Sequence, residues 1–405
     1  MERATSTAAA ARQHAFWPMI LTGMFMVIAT SGLTRAAFGA VLPYMKEGLG
    51  LSNSESGLLG TMMFLGYLIT VGLSGPMSIK WGAKAVLLTG GWLVVISLFG
   101  LAIVPSFWLS CLFILIMGGG SALVFTPLVS IMVAAFPDKR GVVLGLLLSG
   151  AGTGMFLSGI IVPQIVSHAP QPGFRTVWLI FGIFALIVQI VSYMLLKNSS
   201  AAAQTKGSQD KPNWFKNKDI LVTAGIYFAV GMAYLVPMLY QTSYMMELQF
   251  SDTIAGLTFS VAGIFGIVGG PGWGALSDRI GLRKTLIIAI ISAIIGNVLP
   301  VMFENLFSFI VSAALLGSTI GGIVTLVQAK ASHQVTPMYI SVVIGFISVF
   351  YAVGQMLGPI LASTFIEYGG GFAAAYLFGG AVYLIALLLE ILSKPKPQDS
   401  TSSEQ

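Results

Sequence analysis

Arg35 is the residue best placed in this chain to act on a small charged ligand. It lies about 20 residues into a predominantly apolar run that starts near Phe16, and a cation at mid-depth in hydrocarbon costs roughly 2.5–3.5 kcal/mol to insert. Such a group needs a counter-charge. The 14 acidic residues all fall in loops, in tails or near predicted helix ends, so no acid is available at that depth. A planar guanidinium binds a carboxylate through two parallel hydrogen bonds, which makes a bound anion the most economical partner. The competing possibility is that Arg35 bonds backbone carbonyls and aromatic faces, or snorkels toward the outer interface. The sequence leaves both open.

Other polar side chains recur at helical spacing and are candidates for the same ligand. Tyr227, Tyr234 and Gln241 repeat every seven residues, Tyr351 and Gln355 lie four apart, Thr126 shares a face with Ser130, and Gln328 lies in a further apolar run. Tyrosines at such depth want a hydrogen-bond partner. Enzyme chemistry finds no support. His14, His168 and His333 are scattered, and Cys111 is the single cysteine, so neither a nucleophile with its base nor a metal box can be assembled. We expect no cofactor, no metal and no catalytic residue.

The elements that must position these residues are membrane helices. Of 405 residues, 56% are hydrophobic and 8% charged, with a mean hydropathy of +0.90, against about 25% charged in soluble domains. Apolar runs long enough to cross a bilayer are read at 16–45, 53–78, 83–104, 107–135, 141–167 and 175–196, then 220–246, 252–276, 283–303, 306–331, 338–367 and 372–393. We therefore expect an all-α membrane protein of twelve transmembrane helices in two pseudo-symmetric six-helix bundles. Its divisions are an N-tail (1–15), a first bundle (16–196), a linker (197–219), a second bundle (220–393) and a C-tail (394–405).

Counting alternate loops, 17 of the 20 Lys and Arg fall on one side, which places the linker and both termini in the cytoplasm. The formal charge of +6 is thus topological, and no nucleic-acid partner is implied. Ser52 and Glu55 have the spacing of a capping box at the start of span two. Trp17, Trp108 and Trp178 are expected to be interfacial anchors.

The halves also repeat at an offset of about 200 residues. Gly75 and Gly82 with Lys80 match Gly274 and Gly281 with Arg279, while Gly145 and Gly154 match Gly345 and Gly354. In span five, Gly150, Gly154 and Ser158 recur every four residues, a spacing that lets helices approach closely. Parallel six-helix repeats place a substrate site between the halves near the midplane.

The segment Gly274-Ala-Leu-Ser-Asp278-Arg279-Ile-Gly281-Leu-Arg283-Lys284 resembles the cytoplasmic-loop motif of major facilitator transporters at every informative position. Gly281 allows the tight turn, and Asp278 can face the partial positive charge of a helix N-terminus. The resemblance implies a latch that holds the cytoplasmic side in one state and releases it in the other. The first copy has Ile79 where the acid would stand, so the gate is expected to depend on Asp278 more than on its counterpart. It also implies that spans one, four, seven and ten line the cavity. Arg35-Ala-Ala-Phe-Gly-Ala-Val-Leu-Pro43, Gly231-Met-Ala-Tyr234 and Gly354-Gln-Met-Leu-Gly-Pro359 resemble the bacterial YbfB/YjiJ-type branch more closely.

The expected function is secondary transport of a small organic anion, a monocarboxylate or related acid, by rocker-switch alternating access in the cytoplasmic membrane of a bacterium. We expect a monomer in the lipid bilayer. Efflux of amphiphilic or drug-like compounds is the alternative, and a non-translocating receptor is a third.

Overall fold

The computed structural model describes residues 16–136, 140–196, 214–336 and 339–393. The expected N-tail and C-tail, the linker up to residue 213, and Lys139, Pro137 and Pro337 of the loops lie outside the described residues. Among the described residues, twelve helices are long and apolar enough to cross a membrane. Span one is α1 (Phe16–Ala36) continued by α2 (Phe38–Leu49). It is followed by α3 (Asn53–Trp81), α4 (Ala83–Ile103), α5 (Phe107–Ala135), α6 (Arg140–His168) and α7 (Phe174–Leu195). In the second half, span seven comprises α8 (Lys218–Ala233) and α9 (Leu235–Glu247), and α10 (Asp252–Ile280), α11 (Leu282–Phe303), α12 (Leu306–Ser332), α13 (Ile340–Tyr368) and α14 (Gly371–Leu392) complete the bundle.

Local chemistry sets the helix ends. The capping box before α3 is present in full, with Ser52 N–H donating to Glu55 Oε2 at 2.8 Å and Glu55 N–H to Ser52 Oγ at 3.1 Å. At the other end, α3 stops at Gly82 with φ +87° and α10 at Gly281 with φ +93°. These are the same positions of the two repeats, and both need a backbone that a Cβ would strain.

Two spans are irregular at mid-depth. Ile28–Ala36 of span one is π-helical, with the Ala37 N–H bonding Gly32 O at 2.8 Å before α2 begins. Span seven breaks at Tyr234 between α8 and α9. Arg35 and Tyr234 thus stand at nearly equivalent points of the two repeats. On the back of the π-helical stretch, Gly32 lies against Gly150 and Gly154 of α6, so the small-residue spacing in span five serves close packing.

Within the first half α3 packs on α5 and α4 on α5 and α7; within the second, α10 on α12 and α11 on α12 and α14. The halves meet through α3 with α13, α6 with α10, and α2 with α9. These contacts lie toward one end of the molecule. There Gly57 abuts Ser363 and Pro359, Gly39 abuts Met238, and Gly159 abuts Gly256 and Ser260. Ser54 N–H also donates to Glu367 Oε2 across the two halves at 2.7 Å. At the opposite end, which carries the Lys/Arg excess, a Cβ added at Gly75, Gly145, Gly274 or Gly345 would meet no other helix within 4 Å. The molecule is therefore closed at the far end and parted at the basic end.

One tryptophan corrects the sequence expectation. Trp17 and Trp108 are exposed, but Trp178 is fully buried, packed on Phe38 and Phe181 with its ring N–H directed at Met45 Sδ at 3.4 Å. It sits in the second turn of α7, whose inner face meets α2, so neighbouring helices replace the interface as its environment.

Candidate functional site

The guanidinium of Arg35 lies over the Tyr67 ring at 4.2 Å and the Phe64 ring at 5.2 Å, both from α3. Its face is therefore taken up by cation–π contact, and its hydrogen-bonding edge is left over. Arg35 makes no hydrogen bond or ion pair to any described residue, and its Nε is buried without a partner. Of the competing expectations for this residue, aromatic faces are present, backbone carbonyls are not bonded, and the donors remain unanswered. An unpaired buried donor on a charged group is costly, so the geometry suits an anion approaching along the guanidinium plane.

The second half contributes a stack of tyrosines. Tyr351 of α13 lies parallel to Tyr227 of α8 (centroids 4.3 Å apart, planes at 19°) and to Tyr234 at the break (5.9 Å, 7°). Gln328 Nε2 donates to the Tyr227 hydroxyl at 3.1 Å, and Gln355 Nε2 donates to the Tyr234 hydroxyl. Arg35 is close enough to act electrostatically on Tyr234 and Tyr351, as Tyr67 is on Tyr227 and Tyr234. Six of the expected residues, Arg35, Tyr227, Tyr234, Gln328, Tyr351 and Gln355, thus form one cluster across the two halves.

Gln241 touches this cluster only through a pocket it shares with Tyr234, and Thr126 is not among its contacts. Gln241 is buried, with its Nε2 unpartnered, in a narrow pocket with Tyr234, Pro237, Met238, Met155 and Tyr383. That pocket has free space for about one water molecule. Thr126 is half-buried on α5, and its hydroxyl makes no hydrogen bond to a described residue. No group of three or more His, Cys, Asp or Glu able to hold a metal occurs among the described residues.

A family model described as "Uncharacterised MFS-type transporter YbfB" matches residues 26–391. The chain belongs to this major facilitator family. Its fold and family are those of transporters, not of enzymes. Among curated relatives, the multidrug resistance protein MdtG of Proteus mirabilis is 26% identical over 90% of this chain and 94% of its own length. The hexuronate transporter of Bacillus subtilis is 27% identical, covering 92% and 93%. Among solved structures, a point mutant of the nucleoside transporter NupG superposes with a TM-score of 0.81 at 15% identity, over 92% of this chain and 99% of that one.

As a major facilitator protein, the chain carries its motif residues at the parted end. Asp278 is exposed and makes no ion pair or hydrogen bond to a described residue, and Ile79 at the equivalent point is exposed as well. Gly75 and Lys80 lie on the last turns of α3, which Gly82 ends, and Arg279 on the last turn of α10. Arg283 is engaged within its own half, where its Nη2 donates to Ile391 O at 2.8 Å and Ser393 O at 3.0 Å, capping the carbonyls at the end of α14.

Sequence reasoning missed Tyr67 and Phe64, although their three-residue spacing put both on one face of span two. It also missed the ion pair between Lys330 and Glu390. Glu390 is 1% exposed, and only its position near a helix end had been legible.

Proposed function

We propose that the protein is a secondary transporter of a small organic anion, a monocarboxylate or related acid. It works as a monomer in the cytoplasmic membrane with both termini in the cytoplasm. The observation that carries this reading is Arg35, a cation between the two halves, stacked on rings and without a counter-charge among the described residues. The hexuronate transporter among the relatives supports it, since a hexuronate is itself a monocarboxylate.

The cycle follows from the two ends. With the basic end taken as cytoplasmic by its Lys/Arg excess, the parted state gives the anion access to Arg35 from the cytoplasm. The bound anion neutralises Arg35 and lets the halves rock. The far end then opens as Ser54 and Glu367 separate, and the cytoplasmic end closes as Asp278 meets a helix N-terminus of the other half.

A thermal-shift panel of small carboxylates, inorganic anions and amphiphilic drugs on purified protein and on Arg35→Gln tests the reading, because ligand binding to the folded state raises apparent stability. A carboxylate should stabilise the wild type and not the variant. A second reading, efflux of amphiphilic compounds, is favoured by the multidrug resistance protein among the relatives. It takes the lead if only amphiphiles stabilise and do so equally in both proteins.

A further inference from the structure

The groups around Arg35 constrain the body of the ligand as well as its charge. Buried Phe64 and half-buried Tyr67 hold the guanidinium from the first half, and Tyr227, Tyr351 and Tyr234 supply a nearly parallel set of rings from the second. Of those three, Tyr227 and Tyr234 are buried and Tyr351 is half-buried, so Tyr351 is the ring of the stack that keeps surface for an occupant. The guanidinium edge is free while its face is covered, which fixes an incoming carboxylate in the plane of the guanidinium.

The hydrogen-bonding capacity leans toward donation. The amides of Gln328 and Gln355 donate to the oxygens of Tyr227 and Tyr234, which leaves each tyrosine its own hydroxyl hydrogen to donate and only the two amide oxygens to accept. Arg35 has donors only. Among the described residues, no Asp or Glu makes an ion pair or hydrogen bond to a member of the cluster. A polyhydroxylated acid entering here would turn many hydroxyl donors toward ring faces and lose their bonds to water. A ligand with an acceptor-only head and a flat apolar body meets each wall with what that wall can bind, since ring pairs prefer offset-stacked or edge-to-face contact.

Building on the organic-anion reading above, we propose that the ligand at Arg35 is a flat, conjugated monocarboxylate of the aryl carboxylate class. The carboxylate takes the guanidinium edge and the ring packs against Tyr351.

The test compares benzoate with cyclohexanecarboxylate, two acids of the same carbon count and charge that differ in planarity, and with glucuronate, by calorimetric titration and thermal shift. Four proteins are used: wild type, Arg35→Gln, Tyr351→Leu and Tyr351→Phe. Benzoate is expected to bind the wild type about tenfold more tightly than cyclohexanecarboxylate, the scale of an aromatic pair. The preference should vanish in Tyr351→Leu and survive in Tyr351→Phe, which keeps the ring; all carboxylate binding should fall in Arg35→Gln. Equal binding of benzoate and cyclohexanecarboxylate, lost in Arg35→Gln, overturns the flat-ligand proposal and leaves the anion reading standing. Preferential binding of glucuronate does the same. If no carboxylate binds the wild type, both fall.

Discussion

At the scale of single residues, Arg35 decides what the cavity can bind. Arg35→Lys keeps the charge but loses the planar fork and the stacking on Tyr67. It should weaken carboxylate binding about tenfold, the scale of one charge-assisted hydrogen bond at ~1.5 kcal/mol, as calorimetric titration would read. Away from the site, half-buried Lys330 pairs with fully buried Glu390, with Ser393 Oγ also 3.3 Å from the Lys330 amine. Lys330→Met leaves a carboxylate buried without its partner and should destabilise by about 3–5 kcal/mol. Replacing both, Lys330→Met with Glu390→Leu, should restore most of the lost melting temperature. A double variant that melts as low as the single one would show that packing, not charge, holds the site.

The need for a counter-charge at Arg35 was legible from one sequence, because its depth follows from counting apolar residues. The rings that hold it were not. Phe64 and Tyr67 belong to another helix, and an aromatic facing a cation has the same sequence signature as one facing lipid. Gln241 is legible in part: its seven-residue spacing from Tyr234 suggested a shared face, and the two line one narrow pocket across the break in span seven, but its Nε2 has no partner there.

At the scale of elements, the helix ends were the most legible part. The capping box before α3 and the paired turns at Gly82 and Gly281 follow from local chemistry. The π-helical stretch at Ile28–Ala36 was not legible, since nothing in its composition separates it from an ordinary turn. Such stretches are common at functional sites, and this one carries Arg35 in its last turn. Between elements, the bond from Ser54 to Glu367 ties the start of α3 to the end of α13 across the halves. Glu367→Gln removes the charge from a helix N-terminus and should shift the population away from the state closed at the far end. Reaction of a single cysteine placed near Ser54 with a membrane-impermeant thiol reagent would report this, and an unchanged rate would sink the idea.

At the scale of the whole molecule, the two acids should oppose one another. Asp278, unpartnered here, is expected to bond only when the basic end closes, so Asp278→Asn should favour the parted state that Glu367→Gln disfavours. The sites are far apart with no shared partner, and distant effects add. The double variant should therefore return toward the wild-type balance, as distances between spin labels at the two ends would measure. If each variant shifted the balance in the same direction, the two-ended scheme would be wrong. The six-plus-six architecture was legible because span length and loop charge are properties of the lipid environment. Which end stands open depends on close contacts between helices remote in sequence, and no local pattern records them.

The lone cation of Arg35 also has an electrical meaning. An empty carrier presents about one net positive charge to the transmembrane field at its binding site, and a carrier holding a monoanion presents none. A full traverse of that field is worth ~2.3 kcal/mol per unit charge per 100 mV, so voltage acts on the unloaded step and spares the loaded one. In reconstituted vesicles, anion exchange should proceed at a rate indifferent to an imposed potential, while net flux, which requires the empty return, should change with its sign. Arg35 would then set the current the protein carries as well as the ligand it holds.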